Sequence, residues 1–504
     1  MFNTSIIISF GTAVLLILLI LGLRRNILKY PEGGKKIIDG VKAVSNEVRK
    51  NIGKQNSSLS VVAVPAFVII LYSLNWQTAI GFLIGVLATA LINLILSHIV
   101  AKNSGRVVEA SRKGLPAGAN LALKSGAVSA LLVIGIGLFI TAGYYAIFQN
   151  TQNLIGLGFG VSLAALFYRL SENKNSETIC MDSRTSSISP SGMGRTAQAT
   201  GTNTSISLFE LYVLVTIIAM FLGQKMFANS TNPTLFPLVL VSASTIIFAL
   251  TSFFIRFFKN TKKFTTIIYR ALGLETVLFA AAVYFTYAWM LKNIGFSAMI
   301  NFYGLALVSL IILFLAGMAI QLNIYYQITK NAASIAEESE LPEDVKNHLS
   351  EMRIYDKTLG KILDLYSIKA TAFISIAFFA AYLQAAQKSI SFNLDNYLVL
   401  IGLFIGLILT SLFYWQKIKI NDESVNKNIL ICSCVVLLPV IIGLTLGPVA
   451  LGGYVIGVLL TGLFAEISCA MGTHPCGKCP HSDDFANVVM ISALIALLIA
   501  VLIK

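Results

Sequence analysis

Nineteen consecutive residues, Ser5–Leu23 ("SIIISFGTAVLLILLILGL"), carry no charge, and similar apolar runs recur to the end of the chain. About 20 such residues suffice for a helix to cross ~30 Å of hydrocarbon, where every backbone N–H and C=O must be satisfied internally. The expected fold class is therefore an all-α polytopic membrane protein of about 14 transmembrane helices. The expected spans are 5–23, 61–76, 79–100, 126–147, 154–170, 208–226, 235–257, 265–291, 302–325, 363–383, 397–415, 429–446, 452–469 and 485–502. With 56% hydrophobic and 12% charged residues, no soluble domain of this size fits, so residues 1–504 read as one integral membrane domain. The first run has no basic region before it and no clear cleavage site after it, and is expected to stay as an uncleaved span.

The net charge of +14 could suggest a nucleic-acid partner, but its distribution argues otherwise. Threading the spans alternately places 31 of the 37 Lys and Arg on one side. Lys225, Lys292, Lys388 and Lys504 fall on the other, and Arg270 and Lys369 lie inside spans. This asymmetry predicts both termini outside and the long loops in the cytoplasm. The basicity reports topology, and the partner it implies is the lipid bilayer, not nucleic acid.

The first long inner loop, "RRNILKYPEGGKKIIDGVKAVSNEVRKNIGKQN", sets apolar residues at helical spacing among lysines. It reads either as an amphipathic helix lying on anionic lipid or as a solvated connector. A second polar stretch interrupts the chain between Leu170 and Ser207. A third, "EESELPEDVKNHLSE", reads as a solvated helical face with i,i+4 pairs rather than a ligand cluster.

Five soft or borderline ligands gather in "CAMGTHPCGKCPHSDD": Cys469, His474, Cys476, Cys479 and His481. A Cys-x-x-Cys knuckle flanked by histidines suits tetrahedral Zn²⁺, and a thiolate-rich version suits an iron–sulfur centre. A redox-active dithiol and a plain turn rich in Gly and Pro stay open beside the metal readings.

Three stretches carry a family resemblance. "AKNSGRVVEASRKGLPAGANLALKSGAVSALLVIGIGLFI" followed by "GLGFGVSLAALFYRL", then "YYQITKNAASIAEE", and then "LICSCVVLLPVIIGLTLGPVALGGYVIGVLLTGLFAEIS" resemble membrane-bound pyrophosphatases. These are pumps that couple pyrophosphate hydrolysis to H⁺ or Na⁺ export. The resemblance is closest over residues 101–170 and looser over 321–468. It implies a membrane pyrophosphatase-like helical bundle, although members usually have a helix pair that is missing here between Leu291 and Phe302.

The family holds pyrophosphate as a multi-magnesium complex, and Mg²⁺ demands hard oxygen ligands in near-octahedral geometry. The loop that should supply them offers only Glu172, Glu177 and Asp182 between Leu170 and Ser207. In the later motif, the family's two aspartates align with Asn323 and Lys330, while Asn331 and Glu337 match its asparagine and its last glutamate. The resemblance thus implies a degenerate substrate site at Asn323, Lys330, Asn331 and Glu337, with Mg²⁺ not expected and no catalytic residue assigned. It also implies an ion pathway through Arg169, which matches a gate arginine, and Glu210, which matches the ion-linked glutamate of sodium-pumping members. Glu210 is expected about one turn inside its helix.

Three functions stand open. One is a divergent homologue that no longer hydrolyses pyrophosphate and acts as a transporter-like or regulatory subunit. Another is an active pyrophosphate-driven pump with a rebuilt site. The third is a metal-linked structural membrane partner. The family's homodimer and a heteromeric membrane complex are both compatible with these readings.

Overall fold

The computed structural model describes residues 4–170, 202–227, 231–254, 300–312, 316–352, 396–419 and 437–470, with shorter pieces and single positions within 273–288, 374–385 and 491–499. Every regular element among them is a helix: α1 (Thr4–Leu28), α2 (Lys35–Ser73), α3 (Trp76–Ser111), α4 (Leu115–Phe148), α5 (Thr151–Leu170), α6 (Thr202–Met226), α7 (Thr231–Phe254), α8 (Ile300–Ile312), α9 (Ala316–Glu338), α10 (Tyr397–Lys419) and α11 (Gly447–Ala470). Among the described residues, eight helices are long and apolar enough to cross a membrane, and Tyr397–Ser411 and Gly447–Gly462 are shorter apolar helices. The chain is a helical polytopic membrane protein.

Three helices are much longer than a bilayer requires. At 1.5 Å per residue, the 39 residues of α2, 36 of α3 and 34 of α4 reach roughly 50–58 Å, against a hydrocarbon core of ~30 Å. The surplus projects at one end of the bundle, which among the described residues carries Lys35, Lys36, Lys42, Lys102, Arg106 and Arg112. There α2 is one continuous helix from Lys35. Its apolar stripe, Ile37, Val44, Ile52 and Leu59, is buried. Gly40 sits against Ile335 of α9, and Gly105 of α3 against Val41. The stripe packs on protein, while Lys35, Lys36, Lys42 and Lys50 are exposed. Helix α9 does not stop near Tyr325 but continues to Glu338. Residues 343–352 form a further short helix that buries Val345, Leu349 and Met352 while Glu343, Asp344 and Glu351 stay exposed.

Lipid tails are as apolar as leucine, so helix association in a membrane depends on close packing of small residues. Gly156 and Gly160 of α5 meet Thr78 and Phe82 of α3 so closely that a Cβ at either would collide with a backbone carbonyl. The same device recurs between α10 and α11, where Gly402 and Gly406 face Ala450 and Tyr454.

Arg106 fastens the start of the chain to this core. Its guanidinium donates to the carbonyls of Leu28 (3.5 Å) and Tyr30 (2.5 Å) at the end of α1, and to the Glu32 carboxylate at 2.5 Å. Carbonyls at a helix C-terminus lack intrahelical partners and carry partial negative charge, so a cation is favoured there. The sequence reading counted Arg106 only among the loop cations, whereas its side chain is just 6% exposed.

Candidate functional site

The centre of the bundle is α6. Every residue from Ser205 to Gly223 is buried, and α6 packs against α3, α4, α5, α7, α8 and α9. A helix apolar on almost all sides is buried on all sides, so a polar residue on α6 has only protein around it. Among those residues is Glu210, fully buried.

The position of Glu210 follows from its neighbours. A Cβ at Gly158 of α5 would touch Leu214 and Ile217 of α6 and, at 3.7 Å, Leu494 of the last helix. A Cβ at Gly137 of α4 would touch the rings of Tyr212 and Phe209 at 3.0 and 3.2 Å. Since α5 and α6 run antiparallel, one turn beyond Gly158 is Ser162 and one turn before Leu214 is Glu210. The two therefore occupy the next rung of the same contact. Glu210 lies five residues into the apolar stretch Ser205–Met226, about one and a half turns from its start. The helix begins at Thr202, six residues before the span expected from Leu208, because "TNTSIS" is helical although polar. The Ser162 hydroxyl is buried, with no hydrogen-bond partner among the described residues.

Toward the basic end, the walls become polar but neutral. The Asn323 side-chain amide donates to the Ser205 hydroxyl at 3.3 Å, joining α9 to α6. Tyr168 of α5 donates to Asn56 of α2 at 2.6 Å. Gln321 donates to the Leu123 carbonyl at 3.1 Å and accepts from the Ser252 hydroxyl at 3.2 Å. Gln327 Nε2 and Asn331 Oδ1 are buried without hydrogen-bond partners among the described residues. Such groups call for water or a polar ligand.

The degenerate-site residues divide between two environments. Asn323 and Asn331 are buried, Lys330 is half-buried and Glu337 is exposed. Mg²⁺ favours anionic oxygens, which this stretch of α9 does not present: its buried donors are carboxamides and its nearest charge is an ammonium. Among the described residues, no three His, Cys, Asp or Glu side chains gather as a metal site would need. Arg169 belongs to the last turn of α5, and Cys469 to the end of α11, but their side chains lie outside the described residues. So do His474, Cys476, Cys479 and His481, and the loop bearing Glu172, Glu177 and Asp182.

Sequence reasoning missed Ser162, Ser205 and Asn93. The available signal was a polar residue recurring one face away from small residues within an apolar run, as in "GLGFGVSLAALFYRL".

The sequence profile described as "Inorganic H+ pyrophosphatase" matches residues 14–172 and 270–420. A "K(+)-insensitive pyrophosphate-energized proton pump" of Methanosarcina mazei is 25% identical over 484 residues, covering 77% of this chain and 72% of the relative. A "Putative K(+)-stimulated pyrophosphate-energized sodium pump" of Clostridium tetani is 22% identical over 454 residues, covering 72% and 67%. A "K(+)-insensitive pyrophosphate-energized proton pump" of Pyrobaculum aerophilum is 27% identical over 157 residues, covering 29% and 22%.

Proposed function

Since this chain belongs to the inorganic H⁺ pyrophosphatase family, we propose that it keeps the membrane bundle of the family but does not hydrolyse pyrophosphate. In this reading it is a transporter-like or regulatory membrane subunit, working as a homodimer or within a heteromeric membrane complex, with both termini outside and its basic end in the cytoplasm. The observation that carries the proposal is the buried Asn323–Ser205 pair. At the position where the resemblance expects a carboxylate, a neutral amide has found a neutral hydroxyl. About two turns further along α9, Lys330 adds positive charge where a cation would have to bind. The polar segment after Leu170, poor in carboxylates, falls within the gap in the profile match between residues 172 and 270.

Glu210 favours a second reading, an active pump with a rebuilt site. A carboxylate costs at least ~2.5–3.5 kcal/mol at the bilayer centre and less toward the interface, so a fully buried one within a span suggests an ion path. The relatives' names describe pumps. Phosphate release by purified protein given pyrophosphate and Mg²⁺, with and without Na⁺ and K⁺, separates the two. Absence of turnover supports the first reading. Turnover that depends on Glu210 supports the second.

A further inference from the structure

Asn323, Gln327, Asn331 and Ile335 stand four residues apart on α9 and so form one row along it, each step rising about 6 Å. At one end of the row, Asn323 donates to Ser205 of α6. At the other, Ile335 lies against Gly40 of α2, where a Cβ would approach it to 3.3 Å. Gln327 and Asn331 lie between these two contacts and are 3% and 2% exposed. Because α9 packs on α3, α4 and α6 as well as α2, both carboxamides have protein around them.

Neither carboxamide is satisfied. Gln327 Nε2 and Asn331 Oδ1 have no hydrogen-bond partner among the described residues. A carboxamide offers N–H donors and carbonyl lone pairs whichever way it is turned, and a buried one left unpaired costs free energy. An oxyanion, an acceptor on every face, would leave the carbonyls unpaired, and a cation would leave the N–H groups unpaired. The pair is served by an occupant that both donates and accepts. Side chains one turn apart on a helix are about 5–6 Å apart, a distance that two hydrogen bonds of about 2.8 Å through one water span. Solvent also has an approach. The adjoining row of α9, Tyr326, Lys330 and Ser334, is half-buried and lies about 100° around the helix from the carboxamides.

We propose that Gln327 and Asn331 hold a buried water, which accepts from Gln327 Nε2 and donates to Asn331 Oδ1. Together with the Asn323–Ser205 pair, this water makes an uncharged, hydrated entry from the basic end of α9 to the first turn of α6. The water site does not depend on whether pyrophosphate is hydrolysed, and it needs no Mg²⁺.

The test is a cryo-EM map of the full-length protein, without Mg²⁺ or pyrophosphate, at a resolution that shows ordered water elsewhere in the bundle. Density for one water within hydrogen-bond distance of both side chains is expected. No density between them, with both carboxamides bonded to protein or left unpaired, would overturn the proposal. Thermal melts of Gln327→Met, Asn331→Leu and the double variant give a second readout. Each single change should lower the melting temperature, and the double change should lower it no further than the larger single one, because both remove the same bridge. Additive shifts, or a single variant more stable than wild type, would overturn it too. Where a variant does not fold, the wild-type map decides alone.

Discussion

Asn323 on α9 donates its side-chain amide to the Ser205 hydroxyl on α6 across 3.3 Å, and both residues are buried. That bond holds two central helices together with no charge. Asn323→Asp would put a carboxylate beside the hydroxyl at a buried position. The loss is expected to be about 1–3 kcal/mol, read as a lower melting temperature in Mg²⁺-free detergent. Added Mg²⁺ should not restore it, because the neighbouring Lys330 and Asn331 offer no further anionic ligand. Full rescue by Mg²⁺ would show a cation site that the proposal denies.

Arg106 supports a second prediction. Replacing it with alanine leaves the carbonyls of Leu28 and Tyr30 without their donor and the half-exposed Glu32 with only Lys102, at 3.5 Å. A loss of about 1.5–3 kcal/mol is expected in thermal unfolding, the scale of a hydrogen bond to a charged group. Arg106→Lys should recover only part, since an ammonium does not reproduce a guanidinium's planar fork. An Arg106→Ala protein as stable as wild type would show that the clamp contributes nothing.

Gly160 tests the packing of α3 on α5. A leucine there must displace the Phe82 backbone, and overpacking of this kind costs about 1–3 kcal/mol or more. Gly160→Leu should lower the yield of monodisperse protein on size exclusion, whereas Gly11→Leu, where a Cβ meets open space, should not. Equal behaviour of the two variants would contradict the packing described.

These three cases also mark how far the sequence could be read. The helical class was legible because hydrocarbon leaves a spanning segment no alternative, so apolar runs such as Ser5–Leu23 suffice. The extent of α2 was not. Ile37, Val44, Ile52 and Leu59 give the same stripe whether it faces lipid or protein, and only the packing against α3 and α9 decides. Arg106 looked like any loop cation, because burial of a single arginine leaves no trace in periodicity. Near Glu210, a hydropathy boundary at Leu208 hid the six polar residues from Thr202 that extend the helix. The resemblance alone pointed to Asn323 and Lys330, but the Ser205 partner of Asn323 was not legible, being 118 residues away in sequence.

The Cys and His cluster supports a fourth prediction. If Cys469, His474, Cys476, Cys479 and His481 form more than a plain turn, anaerobically purified protein should hold about one Zn²⁺ per chain. Cys476→Ser and Cys479→Ser should each release it and lower the melting temperature. Protein free of Zn and Fe, with Cys476→Ser as stable as wild type, would leave only the plain turn.

The measurement that bears most directly on the account is pyrophosphate turnover. Loss of one charge-stabilising group commonly costs a factor of about 10²–10³ in rate, and the family resemblance implies that several metal-binding carboxylates are replaced together in this chain. Full-length protein, reconstituted in vesicles with Mg²⁺ and pyrophosphate, with and without Na⁺ and K⁺, is predicted to release no phosphate above the protein-free background. Turnover at rates typical of enzymes, abolished by Asp182→Asn or Glu337→Gln, would contradict the account and establish a working pump.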